Sequence, residues 1–180
     1  MVKTSSPVIS HVIGTTTLIA LFFIVTVYYT YSYSMIQDEV VETQLEEVAG
    51  YVSSNIVQLV SLTTLSGEDQ FLIKELKIPR YVANSIYEVT IERYTDPISQ
   101  EEVLRVRVYL ASRPSVYGVS YLPWSEGGPI HAYNGTDLGI PESSLSPNVS
   151  VSSGYERICV WALKRGTEIT IGLGRRLVGG

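Results

Sequence analysis

Residues 12–37 read VIGTTTLIALFFIVTVYYTYSYSMIQ, and from Thr4 to Gln37 the chain contains no Asp, Glu, Lys or Arg. A helix rises ~1.5 Å per residue, so about 20 apolar residues cross the ~30 Å of hydrocarbon in a bilayer. The uncharged stretch is longer than that, and its ends are expected in the membrane interface or in protein. A secretory signal peptide also begins with a positive residue, here Lys3, followed by an apolar run. Its apolar region is shorter, however, and the small-residue cleavage site that should follow is replaced by Tyr28, Tyr29, Tyr31 and Tyr33. Tyrosines at that place read as an interfacial belt. The segment is therefore expected to be kept, as a helix hidden from water by lipid or by copies of itself.

The rest of the chain is a different material. All 18 acidic residues lie beyond the segment, and with Lys3 set aside 12 basic residues face them, a net charge of −6. Phosphate binding needs clustered Lys and Arg on one face, whereas the basic residues here are scattered, so nucleic acid is not an expected partner. Lys3 on one side of the segment and Asp38, Glu39, Glu42, Glu46 and Glu47 on the other place the N-terminus in the cytoplasm and the bulk of the chain outside. Two Asn-x-Ser/Thr sequons, at Asn134 and Asn148, agree with that side, because glycosylation there requires it.

Past Gln37 the helical pattern continues. Val41, Leu45, Val48, Val52, Ile56 and Leu59 recur every three or four residues, with Glu42, Glu46, Glu47 and Gln58 between them. This is an amphipathic stripe. It packs on the protein's own β domain, between neighbouring copies, or on both. Unbroken from Ser10 to Leu62, the helix would be roughly 80 Å long. Ser66-Gly67 is a turn signal that should end it.

The helix is entered by Lys3-Thr4-Ser5-Ser6-Pro7-Val8-Ile9, of which SSPVI is the most specific part. That entry, followed by an uncharged helix, an amphipathic continuation and a β domain, resembles the archaeal type IV pilin-like superfamily, which includes archaellins. The resemblance covers about the first 60 residues. It implies a leader removed by a prepilin-type peptidase, here between Thr4 and Ser5, after which the exposed helices bundle as a filament core. With the leader kept, it implies instead a membrane anchor of the kind found among β-sandwich components of the archaellum machinery. Gly14, Thr15, Leu18, Leu21, Phe22 and Val25 are the candidate assembly residues, since helices in lipid associate through small and hydroxyl residues. The competing reading of Thr15, Thr16, Thr17, Thr26 and Thr30 is that each hydroxyl bonds a carbonyl of its own helix.

From residue 66 to 180 the sequence changes to short runs rich in Val, Ile, Tyr and Thr, separated by Pro, Gly, Asn and Ser. The runs are 71–76, 86–93, 103–111, 116–122, 130–133, 149–152, 157–163 and 167–173. Leu104, Val106, Val108 and Leu110 alternate with Arg105, Arg107 and Tyr109, giving one buried and one outward face. Lys164-Arg165-Gly166 is a hairpin turn signal. The expected fold class is α+β: a long N-terminal transmembrane or coiled helix over residues 1–65, then an extracellular, antiparallel, sandwich-like β domain over 66–180. Trp124 with Tyr121 and Tyr133 is expected either to pin the loop-rich stretch 123–147 or to bind there.

No catalytic signature is found: no GxSxG, HExxH, CxxC or phosphate-binding glycine loop. Gly172-x-Gly174 lies in a strand-like run without the helix a nucleotide fingerprint needs. With His11 and His131 the only histidines, a histidine-built metal site is not expected, nor is any cofactor. The lone Cys159 reads as a small buried thiol. The function that the pilin-like resemblance implies is a structural subunit of a surface filament, a homopolymer with a role in adhesion. The alternatives are an anchor binding a surface-layer or filament partner, and a membrane-tethered binding module.

Overall fold

The computed structural model describes residues 7–97, 100–125, 128–136, 138–140 and 145–176. Helix α1 runs from Pro7 to Leu65 and stops where Ser66-Gly67 offers a turn. Compactness divides the chain into Met1–Val40 and Val41–Gly180, a boundary inside the helix. The change of secondary structure comes later, after Leu65. The compactness boundary precedes it because the amphipathic turns from Val41 onward pack with the strands.

Among the described residues nine strands follow the helix: β1 (Gln70–Glu75), β2 (Tyr87–Thr95), β3 (Glu102–Leu110), β4 (Arg113–Ser125), β5 (Ile130–Ala132), β6 (Leu145–Asn148), β7 (Ser150–Ser152), β8 (Ile158–Arg165) and β9 (Glu168–Arg176). They form two sheets. The first has the order β1-β8-β9-β5, with β6 also on β9, and the second the order β4-β3-β2-β7. Along one edge of β9, β5 pairs with residues 169–171 and β6 with residues 173–176. The β6 pairing is antiparallel, but the β5 pairing is parallel, so the first sheet is mixed where an antiparallel one was expected. The run 149–152 forms β7 from Ser150 on, and β6, just before it, is a strand where the stretch 123–147 was expected to be loop. Asn148 closes β6 in the first sheet, Ser150 opens β7 in the second, and the chain changes sheets at Val149.

Three local features set the register. In β3 the predicted alternation holds: Leu104, Val106, Val108 and Leu110 are buried, while Arg105, Arg107 and Tyr109 are half-buried on the opposite face. The β8–β9 hairpin pairs Arg165 with Glu168 across Gly166-Thr167, and Gly166 has φ +58°, which the first central position of a type II′ turn requires. The amide of Gly166 donates to Asp69 Oδ1 at 2.7 Å, and Lys164 Nζ donates to the Ser66 carbonyl, tying this hairpin to the segment that leaves α1.

All six stripe residues are buried, in one cluster with Ala49 and Val60 and with the inner faces of both sheets, including Val89, Val106, Val160 and Ile171. A fully buried Val, Leu or Ile contributes about 1.5–3 kcal/mol over its exposed state, so these helical turns are part of the core. Polar groups on the same turns are satisfied locally. Asn55 Nδ2 donates to the Tyr51 carbonyl at 2.7 Å and Thr63 Oγ1 to the Leu59 carbonyl at 2.6 Å.

A second, smaller cluster covers the outer face of the first sheet. Trp161 and Cys159 are buried there with Leu145 and Leu163, flanked by Phe71, Ile73 and Tyr133. The Tyr133 ring meets the Trp161 indole edge-on with centroids 5.2 Å apart, and Phe71 tilts against the same indole at 6.3 Å. The expected Trp124–Tyr121–Tyr133 grouping is therefore corrected. Tyr133 belongs to Trp161, Tyr121 packs with Tyr94 at 6.1 Å, and half-buried Trp124 packs against the main core. Trp161 wins Tyr133 because the backbone amide of Tyr133 donates to the Ile171 carbonyl on neighbouring β9, which fixes the ring over this sheet.

Candidate functional site

The feature that calls for a function is the surface of α1 between His11 and Ile36. Apolar side chains there are exposed on every face: Leu18 69%, Phe22 69%, Ile24 68% and Val27 68%. A helix that is apolar all round is stable only where no face meets water, in lipid or inside a bundle of other helices. The helix is long and apolar enough to cross a membrane. Each candidate assembly residue lies in this exposed stretch: Thr15, Leu18, Leu21, Phe22 and Val25 are open, and Gly14 has nothing within 4 Å of where a Cβ would stand. Thr4 and Ser5, the bond suggested for leader removal, lie outside the described residues.

In the single chain the threonine hydroxyls are back-bonded. Thr15, Thr16, Thr17, Thr26 and Thr30 each donate their hydroxyl to the carbonyl four residues earlier, at 2.8–2.9 Å. A hydroxyl satisfied this way can face hydrocarbon without an unmet donor, and what it presents outward is largely its methyl group. Beyond the apolar run, Tyr28, Tyr29, Tyr31 and Tyr33 are all exposed, at 56–72%.

On the outward face of the second sheet, cations and aromatic rings interleave. Arg105 bonds Glu92 at 2.5 Å and lies 4.0 Å from the Tyr94 centroid, while Arg107 sits over the rings of Tyr109 (5.4 Å) and Tyr117 (4.7 Å). The Tyr109 hydroxyl donates to Glu88 at 2.6 Å, and that bond, with burial and the carboxylate charge, raises its pKa above the ordinary value. The arginines point outward as expected, but each is engaged by carboxylates and rings within the sheet. They are not arrayed as a phosphate-binding stripe.

The two sequons sit in different surroundings. Asn134 is exposed and follows Tyr133 in the loop after β5, whereas Asn148 is half-buried at the end of β6. Among the described residues, no group of three or more His, Cys, Asp or Glu is placed to hold a metal ion. The Gly172-x-Gly174 pair has a packing role. A Cβ on Gly172 would lie 2.3 Å from the Trp161 ring, and one on Gly174 would lie 2.7 Å from Leu145. Sequence reasoning named these glycines without finding that role, because the side chains they accommodate, Trp161 of β8 at Gly172 and Leu145 of β6 at Gly174, come from the strands on either side. No protein-family model, curated protein or solved structure matches the chain.

Proposed function

We propose that the chain is a structural subunit of a type IV pilus-like surface filament. Its N-terminal helices bundle as the core and its β domains form the outer surface. The observation that carries this reading is the all-round exposure of uncharged, apolar side chains from Val12 to Ile36, on a helix whose next turns are built into the core of a β domain. Such a helix is first a membrane span, with the β domain on the outer side, and then exchanges lipid for copies of itself. The SSPVI entry motif, at residues 5–9, adds the resemblance to pilin-like proteins. No catalytic role is proposed for any residue.

The second reading keeps the helix in lipid and makes the chain an anchor that holds a surface-layer or filament partner. It is favoured by the outward face of the second sheet, where Tyr117 and Tyr121 are exposed beside Arg105 and Arg107. Aromatic rings and arginine are enriched at protein interfaces.

Microscopy of surface fibres, joined to N-terminal sequencing of the protein they contain, separates the two. Fibres built of a chain beginning at Ser5 support the filament. A full-length chain confined to the membrane fraction, with no fibres containing it, overturns the filament and leaves the anchor.

A further inference from the structure

We infer that Asn134 is a glycan acceptor and that Asn148 is not, although both stand in sequons; this rests on the reading that the β domain faces outward.

The difference lies in which amide atom the fold engages. At Asn134 the backbone N–H of Thr136 (3.1 Å) and its Oγ1 (2.7 Å) both contact the side-chain Oδ1. A backbone N–H can only donate, so the atom it meets must be the carbonyl oxygen, and Nδ2 is left on the side away from the turn. At Asn148 the assignment is reversed. Nδ2 donates to the Ser146 carbonyl at 2.9 Å, and a carbonyl can only accept, so the nitrogen that would have to react is engaged.

The backbones reinforce the contrast. Tyr133 is anchored by its ring on Trp161 and by its amide on Ile171, and Asn134 is the first residue released beyond that anchor. Gly135, at φ +91°, reverses the chain so that Thr136 folds back onto Asn134. Asn134, Gly135 and Thr136 are all exposed. The second sequon is held straight instead. Asn148 pairs with Leu173 in one sheet, Ser150 pairs with Thr90 in the other, and no such turn forms between them.

The chemistry that fits is transfer of a sugar from a lipid-linked phosphate or diphosphate donor. The bond between the sugar's anomeric carbon and the phosphate oxygen breaks, and a bond from that carbon to Nδ2 forms. The lipid phosphate leaves with the electron pair, and one Nδ2 proton passes to a base of the transferring enzyme. Hydrogen bonds donated to Oδ1 draw electron density from the amide and make that proton easier to remove. This is what the Thr136 contacts supply.

The test is peptide mass spectrometry on the full chain recovered from its own cells, with Asn134→Gln, Thr136→Ala and Thr136→Ser variants. A membrane-impermeant amine reagent applied to intact cells is read at Lys74 and Lys77. The expected result is a glycan on the Asn134 peptide and none on the Asn148 peptide. Occupancy should fall at least tenfold in Asn134→Gln and Thr136→Ala and persist in Thr136→Ser, which keeps the hydroxyl. Near-UV circular dichroism matching the parent shows that the variants fold. A glycan on Asn148, alone or as well, overturns the assignment. An unmodified chain whose lysines label from outside overturns it while the outward placement stands. An unmodified chain that does not label overturns both.

Discussion

A Cβ placed on Gly118 of β4 would stand 2.2 Å from the backbone nitrogen of Glu46 in α1. The strand therefore meets the helix backbone itself, and only glycine permits that approach. Gly118→Ala must push strand and helix apart along the contact that buries Leu45. Overpacking of this kind costs typically 1–3 kcal/mol. Gly67, with nothing within 4 Å of its would-be Cβ, is the control, and Gly67→Ala should stay within about 0.5 kcal/mol of the parent. Denaturant titration of the two variants in mild detergent measures the difference.

The same logic applies on the far side of the first sheet. Trp161 lies across Gly172, and its Nε1–H donates to the Leu173 carbonyl at 2.8 Å. Gly172→Ala displaces the indole and leaves a buried donor unmet, a loss of about 1–3 kcal/mol before any repacking. In a Trp124→Phe background the remaining tryptophan reports directly. Its emission should shift to the red in Gly172→Ala, and an unshifted spectrum would contradict the packing described.

These two glycines mark the limit of what the chain discloses when read alone. The helix, its end at Leu65, its buried stripe and the alternation in β3 were legible, because each is a local period of apolar residues. Strand β6 was not legible, because Pro147 and the polar residues around it carry no period, and what seats it is its pairing with the distant β9. The parallel seat of β5 beside β9 depends on three residues, Ile130–Ala132, and on a partner almost 40 positions away. The two sequons looked equivalent for a similar reason. Their difference is set by Tyr133 on Trp161 and by the pairing of β6 and β7 with strands distant in sequence.

Tyrosine ionisation should set the alkaline limit of the β domain. Burial raises the pKa of Tyr87, whose hydroxyl donates to the Pro79 carbonyl, and the bond to Glu88 raises that of Tyr109. An acid whose pKa is raised on folding favours the folded state in its protonated form. That contribution is complete below the unfolded value of about 10 and is lost as pH climbs above it toward the folded value. Stability should thus be insensitive to these groups between pH 7 and about 9 and fall above about 10. Tyr87→Phe should lower stability at neutral pH, through the lost hydrogen bond, yet flatten the alkaline decline. Thermal melts of parent and variant at stepped pH test both.

The apolar segment allows a sharper prediction, because its insertion energy can be set against a defined perturbation. Residues 12–27 contain ten Leu, Ile, Phe and Val residues. At about −0.3 to −0.6 kcal/mol each in mid-helix they favour insertion by about 3–6 kcal/mol, before the smaller terms of Thr and Ala. One arginine near the centre opposes this by about 2.5–3.5 kcal/mol, so Leu21→Arg alone should leave a substantial membrane-retained fraction. Leu21→Arg with Ile24→Arg opposes it by about 5–7 kcal/mol, which overtakes the eight apolar residues left, and the chain should leave the membrane fraction. Replacing Thr15, Thr16 and Thr17 together by Val should do neither. Each hydroxyl bonds its own helix, so its loss removes no contact to lipid or to a neighbouring copy, and retention should match the parent within about twofold. Carbonate extraction of membranes followed by immunoblotting reads all three. Release of the valine variant would mean that those hydroxyls bond outside their own helix.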